Sequence, residues 1–199
     1  MGGIGSYVSL LLARLGPAEL YLYDDDIFES HNMSGQFVGS NDVGKAKATV
    51  AMERAIEFGN YLPSLYLSKY EYGKGVKLPI MICGFDNMKA RKDYYESWKD
   101  YVQSGEVNPK ECLFIDGRLL AEEYQIICIT GDDTYSQDHY EKVYLFSDEE
   151  VEEEDCTLKQ TSHVAIMIAS KMVSYFVNFC NNLSEDNFPR RLPYFTHHN

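Results

Sequence analysis

Between Tyr23 and Lys47 the chain places the carboxylates of Asp24 and Asp26, then the side-chain amides of Asn32 and Gln36, then the ammonium groups of Lys45 and Lys47. Acids at the end of an apolar run can accept hydrogen bonds from ribose hydroxyls or hold a divalent cation. Amides and lysines close behind them can orient and neutralise phosphates. Asp24 also falls about 20 residues after Gly5 of an N-terminal glycine cluster, Gly2-Gly3-Ile4-Gly5, the distance at which dinucleotide folds carry their ribose-binding acid. A second polar pair, Asp86-Asn87, ends the apolar run LPIMICGF, and the carboxyl ends of buried strands are where open α/β sheets bind ligands. Together these residues predict a nucleotide site.

The elements that must hold them follow from the hydrophobic pattern. Val8, Leu11, Leu12 and Leu15 recur at helical spacing after the glycines, and Gly16-Pro17 stops the run. Glu19–Tyr23 reads as a strand, and Asp42 as the cap of a helix from Gly44 to Phe58. Strands are predicted over Pro63–Tyr70, the LPIMIC run, Glu111–Asp116 and Glu123–Ile129, with Gly117-Arg118 beyond the third. Met88–Val102 is a helix burying Tyr95, Trp98 and Val102. Residues 131–147 mix helix and strand signals, Thr161–Asn181 is a long apolar helix, and the LPYF tail reads as one more strand or an irregular segment.

The chain of 199 residues reads as one domain, with enough sequence to bury a substantial core. A net charge of −13 argues against general nucleic-acid or membrane-surface binding. An anionic nucleotide therefore needs local help from a helix N-terminus, lysines or Mg²⁺. Five scattered cysteines without a C-x-x-C pair fit neither a zinc site nor a disulfide scaffold, which points to a reducing cytoplasm. No run of about 18 apolar residues and no signal peptide is visible.

Gly2-Gly3-Ile4-Gly5, Asp24-Asp25-Asp26, Asn32, Gln36, Gly44 to Lys47, and Asp86-Asn87 with Arg91 fall in the order and spacing of one known pattern. In these motifs the chain resembles the ThiF/MoeB/HesA family, relatives of the ubiquitin-activating enzymes. The resemblance implies a Rossmann-like, doubly wound, mostly parallel sheet with helices on both faces. The central first strand and the first glycine of that fold would fall before Met1, so the chain is expected to begin late. It also implies ATP-dependent adenylation of the C-terminal carboxylate of a ubiquitin-like or sulfur-carrier protein, by a homodimer or heterodimer. Gly2, Gly3 and Gly5 would let backbone amides approach the nucleotide, Asp24 would hold the ribose, and Asp86 would hold Mg²⁺ with Asp26 as helper. Lys47 would face the phosphates, with Lys45 a second choice, while Asn32, Gln36 and Asn87 would orient the nucleotide.

By the same resemblance Cys156, just before the long helix, would form a thioester or persulfide-linked adduct. The acidic run from Asp148 to Asp155 should raise its thiol pKa, leaving an ordinary cysteine as the alternative. The run itself reads as a solvated loop or a partner-docking segment, and His163 as a bystander at the helix start. Gly35 stands where the family carries a phosphate-holding arginine. That substitution favours a second reading, a non-catalytic partner subunit. A third, an NAD-dependent oxidoreductase, uses the glycines and Asp24 but leaves Lys47 and Asp86-Asn87 unexplained.

Overall fold

A computed structural model describes residues 1–120, 122–146, 161–184 and 188–199. The glycine cluster opens α1 (Gly3–Leu15), which ends at Gly16 in the left-handed conformation (φ 67°) that glycine adopts at low cost. Strand β1 (Tyr21–Tyr23) follows, then α2 (Lys47–Gly59), β2 (Ser64–Tyr66) and β3 (Ile80–Cys83). After these come α3 (Met88–Gln103), β4 (Leu113–Leu120), β5 (Glu123–Thr130), α4 (Thr134–Val143), α5 (Ser162–Ser184) and β6 (Phe195–His198). Among the described residues no strand precedes α1.

The strands form two sheets. β1 pairs with β2 in parallel, Leu22 opposite Leu65. The other sheet runs β3-β4-β5-β6, with β3 parallel to β4 and β6 antiparallel to β5. β4 and β5 are neighbours joined by two residues, too short for a parallel crossover, so they form a hairpin. The parallel β1-β2 and β3-β4 pairs are each linked through a helix, α2 and α3, as a Rossmann-like fold requires.

The chain packs as two compact units. The first holds Met1–Lys69, the facing ends of β4 and β5, and α5 as far as Val173. Its core is α1 against α2: Ala48, Val50, Ala51 and Ala55 of α2 are buried, as are Ile4, Val8, Leu12 and Ala13 of α1. The helices touch closely at Gly59, where an added Cβ would come within 3.0 Å of the Ala13 backbone. The second unit holds Tyr70–Arg118, the chain from Tyr124 to residue 146, and the chain from Ser174 onward. An aromatic cluster fills it. Tyr95 and Trp98 of α3 meet Phe114 of β4 at ring-centre distances of 5.2 and 5.6 Å, and Tyr140 of α4 meets Tyr95 at 4.8 Å.

Several boundaries differ from the sequence reading. The helix expected from Gly44 begins at Lys47, because Gly44 turns the chain at φ 88° and the extended Ala46 bridges Ile27. Asp42 caps a single 3-10 turn instead, accepting the Gly39 amide at 3.0 Å. Gly117 and Arg118 lie inside β4, which continues past Asp116 to Leu120 beside its neighbour β5. Residues 134–143 form one helix, α4, whose N-cap Asp133 accepts the Ser136 amide at 3.0 Å. By length and a mean hydropathy of 1.3, α5 would suffice to cross a membrane, contrary to the sequence reading, and 44% of that window is buried within the fold.

Candidate functional site

The site in the first unit is built by a short backbone ladder. Ile27 bridges Ala46, the Phe28 amide donates to the Lys45 carbonyl (2.9 Å), and the Lys47 amide donates to the Asp26 carbonyl (2.9 Å). Phe28, buried with 1% exposure, anchors this ladder. The consequence is register: Asp26 and the first residue of α2 stand face to face. Lys47 Nζ then donates to Asp26 Oδ2 at 2.8 Å. This hydrogen bond holds the Asp26 carboxyl below the usual carboxylate range, against the upward pull of desolvation.

Asp24 leaves β1 with its amide on the Tyr66 carbonyl (3.3 Å), and its carboxylate turns back on the chain. Oδ1 accepts the Asp26 amide at 2.8 Å and Oδ2 takes the Met1 amino group. Asp24, Asp25 and Asp26 each bring a carboxylate oxygen within 4.8 Å of the others. Hard oxygen donors of this kind suit Mg²⁺ or Ca²⁺ rather than softer ions.

Asn32 closes the next turn. Its Oδ1 accepts the Glu29 amide at 2.9 Å while its own amide donates to the Glu29 carbonyl at 3.0 Å, so its Nδ2 is the end that can meet a ligand. Asp26, Ile27, Glu29, His31, Asn32 and Lys47 line an open cavity of about 240 Å³. Beyond it the chain docks on α1. The Phe37 amide donates to Ser6 Oγ (3.0 Å), and the Phe37 ring lies 5.6 Å from Tyr7. Gln36 Oε1 is buried without a hydrogen-bond partner among the described residues. An unpaired buried acceptor costs about 1–3 kcal/mol, which a ligand N–H or hydroxyl donating to it would offset. Gly35, in the arginine position, is buried.

Lys45 is engaged elsewhere, on Asp42 (3.1 Å) and Glu53 (3.4 Å). Asp42 also binds Arg54. Although burial pushes its carboxyl up, the Gly39 amide, Lys45 and Arg54 together hold it below the usual range. That network braces the turn leading to Lys47. The glycine cluster supplies the N-terminus of α1, with Gly2 as N-cap, Gly3 buried and Gly5 in the first turn.

Asp86 and Asn87 belong to the second unit, at the carboxyl end of β3. Asn87 is the N-cap of α3, its Oδ1 accepting the Ala90 amide at 2.8 Å and its Nδ2 donating to Asp86 Oδ1 at 3.1 Å. Asp86 is exposed and offers oxygen donors of the kind Mg²⁺ takes. Cys156 and the acidic run lie outside the described residues. His163 is exposed on the first turn of α5.

Sequence reasoning thus finds Asp26, Asn32 and Lys47 in one cavity wall. It misses Glu29 and His31 in that wall, and the carboxylate that Asp25 adds beside Asp24 and Asp26. The signal for Glu29 was its three-residue spacing to Asn32, the span over which a side chain caps a turn.

Comparison with known proteins agrees with these motifs. A search of curated proteins gives no match. The solved structures that match include E. coli MccB, at TM-score 0.69 and 19% identity over 98% of this chain and 56% of that one. E. coli MccB with ATP matches at TM-score 0.66 and 19% identity, covering 92% and 55%. PaaA matches at 0.67 and 18%, covering 93% and 55%. The chain therefore spans about half the length of these structures. The chain has the ThiF/MoeB Rossmann-like fold, and its residues 1–65 match the ThiF family, which bears out the resemblance read from the motifs.

Proposed function

We propose that the chain carries out ATP-dependent adenylation of a C-terminal carboxylate on a peptide or small protein. The observation that carries this reading is the Asp26–Lys47 pair at 2.8 Å on the wall of the cavity, beside Asn32 and within the ThiF-matched residues. In the reaction a carboxylate oxygen attacks the α-phosphorus of ATP. The bond to the bridging oxygen breaks, and pyrophosphate departs with its electron pair. Two anions meet and charge grows on the leaving group, so electrostatic stabilisation is the main requirement.

Lys47, only 11% exposed, would turn from Asp26 to the phosphates as they arrive. Asp24 would accept from the ribose hydroxyls, Asn32 Nδ2 and Gln36 would orient the nucleotide, and the N-terminus of α1 would favour its negative charge. Asp86, with Asn87 fixing its carboxylate, would hold Mg²⁺. The metal when bound neutralises phosphate charge. Support for a peptide substrate comes from MccB, which has been solved with MccA and AMPCPP. A ubiquitin-like or sulfur-carrier protein is the finer proposal, with a homodimer or heterodimer as the working assembly in the cytoplasm.

One observation favours a second reading. With Gly35 buried where the family has an arginine, a chain that binds nucleotide without turning it over is the non-catalytic alternative. Pyrophosphate–ATP exchange with candidate C-terminal peptides and ubiquitin-like proteins separates them. Exchange lost in Lys47→Ala and in Asp86→Ala supports the enzyme. ATP binding without exchange supports the partner subunit, and preference for NADH over ATP would overturn both.

A further inference from the structure

A buried ion cluster lies inside the second unit where the end of β3 meets the middle of β4. Asp116 of β4 is fully buried (0% exposed) and pairs in register with Cys83 of β3. Its Oδ1 accepts from Arg91 and from Cys83 Sγ (3.2 Å). Its Oδ2 accepts from Arg118 Nε (2.9 Å) and the Tyr140 hydroxyl (3.0 Å). A carboxylate has about four such acceptor sites, so this one is fully used. Arg91 extends the cluster onto the main chain. One terminal nitrogen donates to the Phe85 carbonyl, and the other donates to the Gly117 carbonyl (3.2 Å) as well as to Asp116.

Burying such charges is expensive, and apolar residues of similar volume often serve stability as well or better. What apolar residues cannot do is grip two carbonyls at once. The planar guanidinium does so in a fixed geometry. One of those carbonyls belongs to Phe85, the residue before Asp86, and Asp86 itself lies within the electrostatic reach of Arg91. Asn87 fixes the other side of the same turn to α3.

We infer that Arg91, locked by Asp116, which Tyr140 holds in turn, is a positioning residue that holds the Gly84–Asn87 turn so that the Asp86 carboxylate is presented for a divalent cation. The inference rests on the reading of Asp86 as the metal-holding acid. It adds residues that touch neither nucleotide nor metal. Loss of outer-shell partners of this kind typically costs roughly 10–100-fold in metal affinity.

The test uses the full chain, Arg91→Lys and the milder Tyr140→Phe, with two readouts. The first is amide hydrogen exchange over residues 84–90 in the nucleotide-free protein. The second is Mn²⁺ affinity in the presence of ATP, beside ATP affinity without metal. Lysine keeps the charge but cannot span both carbonyls. Arg91→Lys should therefore speed exchange at 84–90 about 10-fold and weaken Mn²⁺ by about 10-fold, with metal-free ATP affinity unchanged. Tyr140→Phe should give the same local pattern at smaller size, and it decides the matter if Arg91→Lys fails to fold. Unchanged exchange at 84–90, or exchange accelerated equally across β5, would overturn the inference. Asp86→Ala is the separate arm: if it leaves Mn²⁺ affinity intact, the metal reading of Asp86 fails, while the exchange data still judge the role of Arg91.

Discussion

Replacing Asp116 with alanine isolates the energetics of the buried cluster. The substitution removes four accepted hydrogen bonds and leaves the Arg91 guanidinium, 6% exposed, without its carboxylate. Burial already pulls the Arg91 pKa down, although arginine stays protonated in proteins. An uncompensated buried charge typically costs about 3–5 kcal/mol, against a total stability of about 5–15 kcal/mol for a domain. Arg118, more exposed and stacked over Tyr144 at 5.5 Å, can reach water and should add little to the loss. The chain has a single tryptophan, Trp98, fully buried against Phe114 with its Nε1 on the Pro79 carbonyl (3.0 Å), so its fluorescence reports this unit in a urea titration. Asp116→Ala should lower the unfolding free energy by about 3–5 kcal/mol, while Asp116→Leu combined with Arg91→Leu should recover most of it. A loss under about 1 kcal/mol, or a double variant no better than the sum of its singles, would refute the account of Asp116 as the charge that makes Arg91 tolerable.

Lys47→Ala should leave the fold intact, since its partner Asp26 is largely exposed, yet weaken ATP binding measured by calorimetry by about 10-fold or more. Asp42→Asn should flatten the acid limb of stability. A carboxylate held below its unfolded pKa of about 3.9 stabilises above that value and loses the contribution as pH falls through its folded pKa, so urea midpoints compared at pH 3 and pH 6 should differ less in the variant than in the parent. Gly131→Ala would bring a Cβ to 2.5 Å from the Pro109 carbonyl and 2.8 Å from Cys112 Cβ, and overpacking of this kind should cost about 1–3 kcal/mol by the same Trp98 titration. Burial pushes the Cys83 and Cys112 thiols up to about 11, so native protein at pH 7.5 should be alkylated by iodoacetamide at those sites about 100-fold more slowly than unfolded protein, as read by peptide mass spectrometry.

What the sequence made legible was local or periodic. The apolar repeat of α1 ends at Gly16 as read, and Tyr95, Trp98 and Val102 share the buried face of α3 as their spacing requires. Asp86-Asn87 showed itself as a strand end because a cap and a strand terminus are both sequence-local events. The helix start at Lys47 was not legible. Asp42 has the chemistry of an N-cap, but the antiparallel contact of residues 26–28 with 44–47 keeps the chain out of the helix until Lys47, a long-range pairing that no window on residues 42–47 contains. The same pairing makes the Asp26–Lys47 contact, so the motif reading had the residues of the site without the reason they meet. The Asp116 cluster was hidden for a similar cause. Asp116 and Arg118 read as the end of a strand and a turn, and only the β3-β4 register with α4 stacked behind shows four donors converging on one carboxylate.

The charge balance of the cavity bears on which function survives. Its wall sets two carboxylates, Asp26 and Glu29, against the one ammonium of Lys47, within a chain of net charge −13. A bare triphosphate would meet repulsion there. Lys47, moreover, is already paired, so moving it to a phosphate uncovers Asp26 unless a cation takes its place. An arginine at position 35, as the resemblance implies, would offset part of this cost. Here the position is a buried glycine, and the acids must be neutralised from outside the side chains of residues 24–47. Nucleotide affinity in this chain should therefore depend steeply on a divalent cation, with ATP binding in the presence of excess chelator at least about 10-fold weaker than with Mg²⁺. Equal affinity in calorimetric titrations with and without chelator would mean that Lys47 alone satisfies the phosphates, and would count against any role for Asp26 beyond holding that lysine.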